Sequence, residues 1–109
     1  DYAAAQATLD KVIAIGGDLA AEAYAKKGDC YFFPAQKIVE ENSALSIDDP
    51  KYNANEAKIK EAYEQAKPFY EKAKELEPDN QQIWGQMLLR IYWTLNKAEY
   101  EALEKELGY

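Results

Sequence analysis

Three kinds of residue in this chain invite a chemical reading: one thiol, twenty carboxylates and the adjacent aromatics Phe32-Phe33 and Tyr92-Trp93. Cys30 is the only cysteine, stands between Asp29 and Tyr31, and has no histidine anywhere in the chain to serve as its base. The expectation is therefore a small core or half-buried thiol rather than a nucleophile. A single cysteine also excludes an internal disulfide and a Cys-rich zinc site. The absence of His removes imidazole catalysis, imidazole metal ligands and an imidazole pH switch. Twenty Asp and Glu in 109 residues make chance carboxylate pairs certain, and a glycosidase-like pair needs a cleft that holds both acids across one bond. Asp48-Asp49-Pro50 with Asn53 and Asn55 lacks the alternating oxygen ligands and central glycine of a calcium loop. It reads instead as turn and cap chemistry. Gly16-Gly17 lacks the preceding strand and spaced glycines of a phosphate loop. No nucleophile–base pair or metal cluster can be named, so no catalytic residue, metal ligand or cofactor is assigned.

The aromatic pairs are more informative. Phe32-Phe33 and Tyr92-Trp93 each fall within a helical pattern, where neighbours point about 100° apart. One member of each pair should face the core and the other should lie near a groove or an adjoining hairpin. An exposed aromatic cluster would be a binding site, with core packing the alternative for each ring.

These residues must be positioned by helices. The 109 residues, 48% apolar and 30% charged, suit one soluble globular domain. The net charge of −7 argues against nucleic acid and anionic membrane surfaces, which require clustered Lys and Arg. No apolar run approaches the roughly 20 residues of a membrane span. The chain starts without Met, which leads us to expect a fragment of a longer protein.

Apolar residues recur at helical spacing in five stretches. The first, 1–15, carries Tyr2, Ala5, Leu9, Val12 and Ile13 and stops at Gly16-Gly17. The second, about 19–45, is opened by Asp18 as N-cap; its stripe runs Leu19, Ala23, Tyr24, Tyr31, Phe32, Ala35, Ile38 and Val39, with a kink expected at Pro34. Asp49-Pro50 signals the start of the third, about 51–76. Its stripe is Ile59, Ala62, Tyr63, Ala66, Phe69, Tyr70, Ala73 and Leu76, interrupted by Pro68. A fourth helix is expected over about 80–95, opened by a capping box of Asp79 and Gln82, and a fifth over about 97–107, opened by Asn96 and Glu99. No alternating run predicts a strand.

Short turns between five helices suggest stacked hairpins. The tetratricopeptide pattern is W-x2-L-G-x2-Y, then A-x3-F, then P, over about 34 residues. Here Tyr24-x2-Lys27-Gly28-x2-Tyr31 occupies the second helix, Ala66-x3-Tyr70, Ala73 and Pro78 the third, and Trp84-x2-Met87-Leu88-x2-Ile91 the fourth. The chain resembles the tetratricopeptide repeat family over nearly its whole length. It departs at Lys27 and Leu88, which stand where the pattern has Leu and Gly. Tyr24 and Trp84 are 60 residues apart, a surplus of about 26 over the family period. Split evenly, the surplus lengthens each middle helix by roughly 20 Å. The long middle hairpin resembles that of repeat proteins from Bacteroidota bacteria, which implies an extracytoplasmic or envelope setting.

The resemblance implies an all-α fold of antiparallel hairpins in a right-handed superhelical stack. Residues 1–17 would be the second helix of a preceding repeat, 18–78 an elongated repeat and 79–109 a shortened one. Tyr24, Gly28, Tyr31, Ala66, Tyr70, Ala73, Pro78 and Trp84 would pack the repeats, small residues admitting bulky ones. The first helices of each repeat would line a concave groove carrying Glu22, Ala25, Asp29, Phe32 and Phe33, then Gln82, Gly85, Leu89, Tyr92 and Trp93. Ala25, Asp29, Gly85 and Leu89 replace the lysines and asparagines with which family members clamp a C-terminal carboxylate, so an apolar or mixed segment is the expected ligand. The function implied is a non-catalytic protein- or peptide-binding scaffold, with Asp29, Phe32, Phe33, Leu89, Tyr92 and Trp93 as its contacts. The hairpin tip, around Glu40 to Asn55, is a second candidate surface. The alternative is self-assembly into a homo-oligomer through the terminal helices, with Leu103 and Leu107 on the last. No nucleic acid and no membrane insertion are expected.

Overall fold

Five α-helices follow one another without a strand among the described residues. The computed structural model of the chain describes residues 2–15 and 19–109. Helix α1 is Tyr2–Ile15, α2 Ala20–Ser43, α3 Pro50–Leu76, α4 Gly85–Leu95 and α5 Lys97–Glu106, with a single 3-10 turn, Gln81–Ile83, ahead of α4. The expected stop at Gly16-Gly17 and the expected Asp18 cap lie outside the described residues, as do the side chains of Tyr2 and Val12.

Local chemistry accounts for several boundaries. Asp49 caps α3, its Oδ1 accepting the Lys51 amide at 2.9 Å, and Pro50 takes the first helical position, where its missing N–H is no loss. Asn96 caps α5, its Oδ1 accepting the Glu99 amide at 3.2 Å. Beyond α5, Gly108 takes φ +86°, a conformation that suits glycine. Pro34 and Pro68 lie inside α2 and α3, and both helices run through them. Each proline removes one ladder bond. The flanking Phe32, Ala35, Ala66 and Tyr70 are all buried, and such tertiary packing outweighs the loss.

The start of α4 differs from the expectation of a capping box at Asp79 and Gln82. Asn80 makes no side-chain cap, one 3-10 turn forms, and α4 begins only at Gly85. The reason is Trp84. Its ring is 1% exposed, its indole Nε1–H donates to the Glu77 carbonyl at 3.0 Å, and the Lys74 ammonium lies 5.8 Å from its ring centre. Seating this ring sets Trp84 at φ −134°, outside helical geometry. Three described members of the expected stripes are exposed: Ala5 on α1, and Leu19 and Leu76 at helix ends, where the neighbouring helix no longer covers them.

α2 and α3 form one long hairpin of 24 and 27 residues, roughly 36 and 40 Å of helix. Gly28 on α2 faces Tyr70 on α3 so closely that an added Cβ would stand 2.8 Å from Cζ of the ring. Tyr70, Ala66 and Ala73 are fully buried. Phe32 stacks on Tyr63 with ring centres 5.4 Å apart and meets Tyr70 edge-on at 6.1 Å. α1 lies along the first half of α2, where Lys27 pairs with Asp10 and the Tyr31 hydroxyl donates to Gln6. α4 packs on α3, and α5 is tied to α3 by Lys67–Glu99 at 3.0 Å and Lys74–Glu106 at 2.8 Å. The Cα trace measures 49 × 36 × 16 Å, a slab about two helices thick at the usual 8–10 Å helix spacing.

Candidate functional site

The side chains named from the sequence divide into those committed to the core and those open to a partner. Phe32 is 5% exposed and its neighbour Phe33 is 49% exposed; Tyr92 is 8% exposed and its neighbour Trp93 is 55% exposed. Helical geometry allows only one of two successive rings to face α3. Phe33 keeps one edge-to-face contact, to Phe32 at 5.5 Å. Leu89, Ala25 and Gly85 are buried, while Glu22 and Gln82 are exposed. Of the positions expected to line a groove, Phe33 and Trp93 present large apolar surface, whereas Phe32, Leu89 and Tyr92 belong to the hydrophobic core.

Asp29 is half-buried and accepts the Tyr70 hydroxyl at 2.5 Å. Burial raises its pKa above the usual carboxylate value, with the Tyr70 bond pulling the other way. Tyr70 is pushed strongly up by its own burial and by the Asp29 carboxylate, so it stays a neutral donor. Asp29 is thus spent on the fold rather than presented to a ligand. Tyr92 repeats the arrangement, its hydroxyl donating to Glu71 at 2.5 Å and its pKa raised by burial and by that bond. Burial, then the adjacent Asp29, raise the Cys30 pKa, which keeps the thiol protonated and a poor nucleophile.

The packing positions are placed as follows. Gly28, Ala66, Tyr70, Ala73 and Trp84 are buried, Tyr24 and Tyr31 are half-buried against the same core, and Pro78 is exposed in the α3–α4 turn. Tyr31 also stacks on Phe69, ring centres 5.9 Å apart.

Two grooves meet at Trp93. One, of about 310 Å³, lies between the outer part of the long hairpin and the end of α4; Val39, Asn42, Tyr52 and Glu56 face Arg90 and Trp93 across it. The other, of about 270 Å³, is lined by Gln86, Leu89, Arg90, Trp93 and Tyr100. Trp93 meets Tyr100 edge-on at 5.0 Å, and the Lys97 ammonium sits 4.9 Å from the Trp93 ring centre. Burial raises the Tyr63 pKa, with Arg90 opposing and Glu56 adding to the shift.

Sequence reasoning missed Arg90, Lys97 and Tyr100. The available signal was spacing for Arg90 alone: Arg90 and Trp93 stand at i and i+3 on one face of α4, whereas Lys97 and Tyr100 lie beyond the break at Asn96. It also missed Asn42 and Asn55, 4% and 7% exposed, whose side chains bond each other at 2.8 Å across the hairpin. Nothing in the sequence pairs those two before the hairpin register is known. No described helix is long and apolar enough to cross a membrane. Set against models of protein families, curated proteins and solved structures, the chain finds no match.

Proposed function

We propose that this chain is a tetratricopeptide-like scaffold segment that binds a protein or peptide without catalysis. The observation that carries the reading is the pair of exposed rings, Phe33 and Trp93, each next to a buried aromatic on the first helix of its hairpin. Rings in such positions are costly to leave in water and are the usual anchors of a recognition surface. The close approach of Gly28 to Tyr70, and the full burial of Ala66 and Ala73, support repeat-like packing within the long hairpin that carries Phe33.

The test is capture from a lysate of the source cell with the native chain and a Phe33→Ser/Trp93→Ser variant, after both are shown to fold. A partner held by the native chain and lost by the variant supports the reading. Equal capture moves the site to the hairpin tip, where Ile47 is 72% exposed, or to the chain ends. Absence of any partner together with concentration-dependent mass in solution favours self-assembly, the second reading.

A further inference from the structure

We infer that the corner at Trp93 is an acidic-peptide subsite: Arg90 takes a carboxylate of an extended segment while Trp93 and Tyr100 take an apolar side chain beside it. The inference rests on the partner-binding reading and gives that partner a chemistry. Arg90 and Trp93 line both grooves, so the two form one track across α4, from Tyr100 on α5 to Val39 and Tyr52 on the hairpin. A track shaped this way suits an extended chain better than a compact ligand.

Charge selects the occupant. The chain carries a net −7, yet the track holds its only arginine, and Lys97 sits over the indole. Among the described residues Arg90 forms no ion pair. Glu56, which lines the hairpin-side groove, accepts from Asn42 at 3.4 Å, and Glu104 accepts from the Tyr100 hydroxyl at 2.9 Å; neither pairs with Arg90. An unpaired, exposed guanidinium beside an exposed indole is complementary to an acid next to an apolar side chain, with the planar fork free to bind a carboxylate through two N–H groups.

The probe is the capped peptide acetyl-Gly-Ser-Glu-Leu-Glu-Phe-Glu-Leu-Ser-Gly-amide, with a counterpart carrying Gln for each Glu, titrated into ¹⁵N-labelled full chain. The two indole N–H signals separate the site from the core, since that of Trp84 is buried and bonded to Glu77. Saturable movement of the Trp93 signal is expected, with Trp84 unmoved, binding weakened about tenfold by Arg90→Gln or by the Gln peptide, and progressive loss with salt. Trp93→Ser should abolish binding while circular dichroism stays unchanged. Binding indifferent to Arg90→Gln and to the Gln peptide overturns the inference, as does no binding at millimolar peptide. Binding lost in Phe33→Ser but kept in Arg90→Gln overturns this corner while leaving the groove reading intact. Movement of the Trp93 signal on concentrating the chain alone makes a second copy the occupant, and overturns it too.

Discussion

The root and the tip of the long hairpin are built from the same two helices and held by different physics. At the root, α2 and α3 are flanked by α1 and α4, and the interface is aromatic on small: Tyr70 against Gly28, Phe32 against Tyr63, with Ala66 and Ala73 at zero exposure. Over residues 40–58 the only buried side chains are two polar ones, Asn42 and Asn55. There Asn55 donates to Asn42, and Asn42 donates on to the Tyr52 carbonyl at 3.1 Å. A large ring is fully buried only where a third element covers it. A two-helix ribbon has no such cover, and it fixes its register with a satisfied amide pair that tolerates a single alignment.

Removing the root's ring tests that contrast most severely. Tyr70→Ala should cost about 3–5 kcal/mol, read as a large fall in the urea midpoint; an unchanged midpoint would break both the contrast and the repeat-like packing. Gly28→Ala should cost about 2 kcal/mol, because the added Cβ meets a buried ring whose hydroxyl is held in place by Asp29. In a Tyr70→Ala background that cost should vanish, the signature of direct coupling. At the tip, Asn55→Ala should cost about 1–2 kcal/mol by orphaning a buried Asn42 oxygen. A loss matching that of Tyr70→Ala would show the tip to be as tightly held as the root.

Alkaline titration sharpens the picture further. Tyr70, in the root, and Tyr92, which reaches the root from α4 through Glu71, have folded pKa values well above the ordinary 10.0. Above pH 10 the unfolded chain releases these protons while the fold retains them, so the stabilising contribution is complete below about pH 10 and is lost as pH rises beyond it. At pH 11 each tyrosine should lower stability by about 1 kcal/mol, measured as a falling melting temperature. Tyr92→Phe should remove its own share of that slope, and a slope unchanged by the substitution would place the titration elsewhere.

Much of the fold was legible in the sequence because it depends on short-range chemistry. The apolar period of 3.6, the Asp49-Pro50 start and the Asn96 cap involve residues a few positions apart, and all produced the expected helices. The candidate site was legible only in part. Adjacent aromatics on a helix require one buried and one exposed ring, but the choice between them depends on where α3 lies. Asp29 could be named, yet not its commitment to Tyr70, a partner 41 positions away.

The sequence by itself determined that this chain is all-α, where its long helices run and which positions are small enough for a neighbouring helix to approach. Only the tertiary structure decided that Trp84 breaks the expected start of α4, that Asn42 finds Asn55, and that Arg90 and Trp93 share one track beside the hairpin. The physical reason is range. Backbone propensity and caps act within a turn or two of helix, whereas burial, ring packing and the pairing of polar groups depend on elements that the chain brings together from afar.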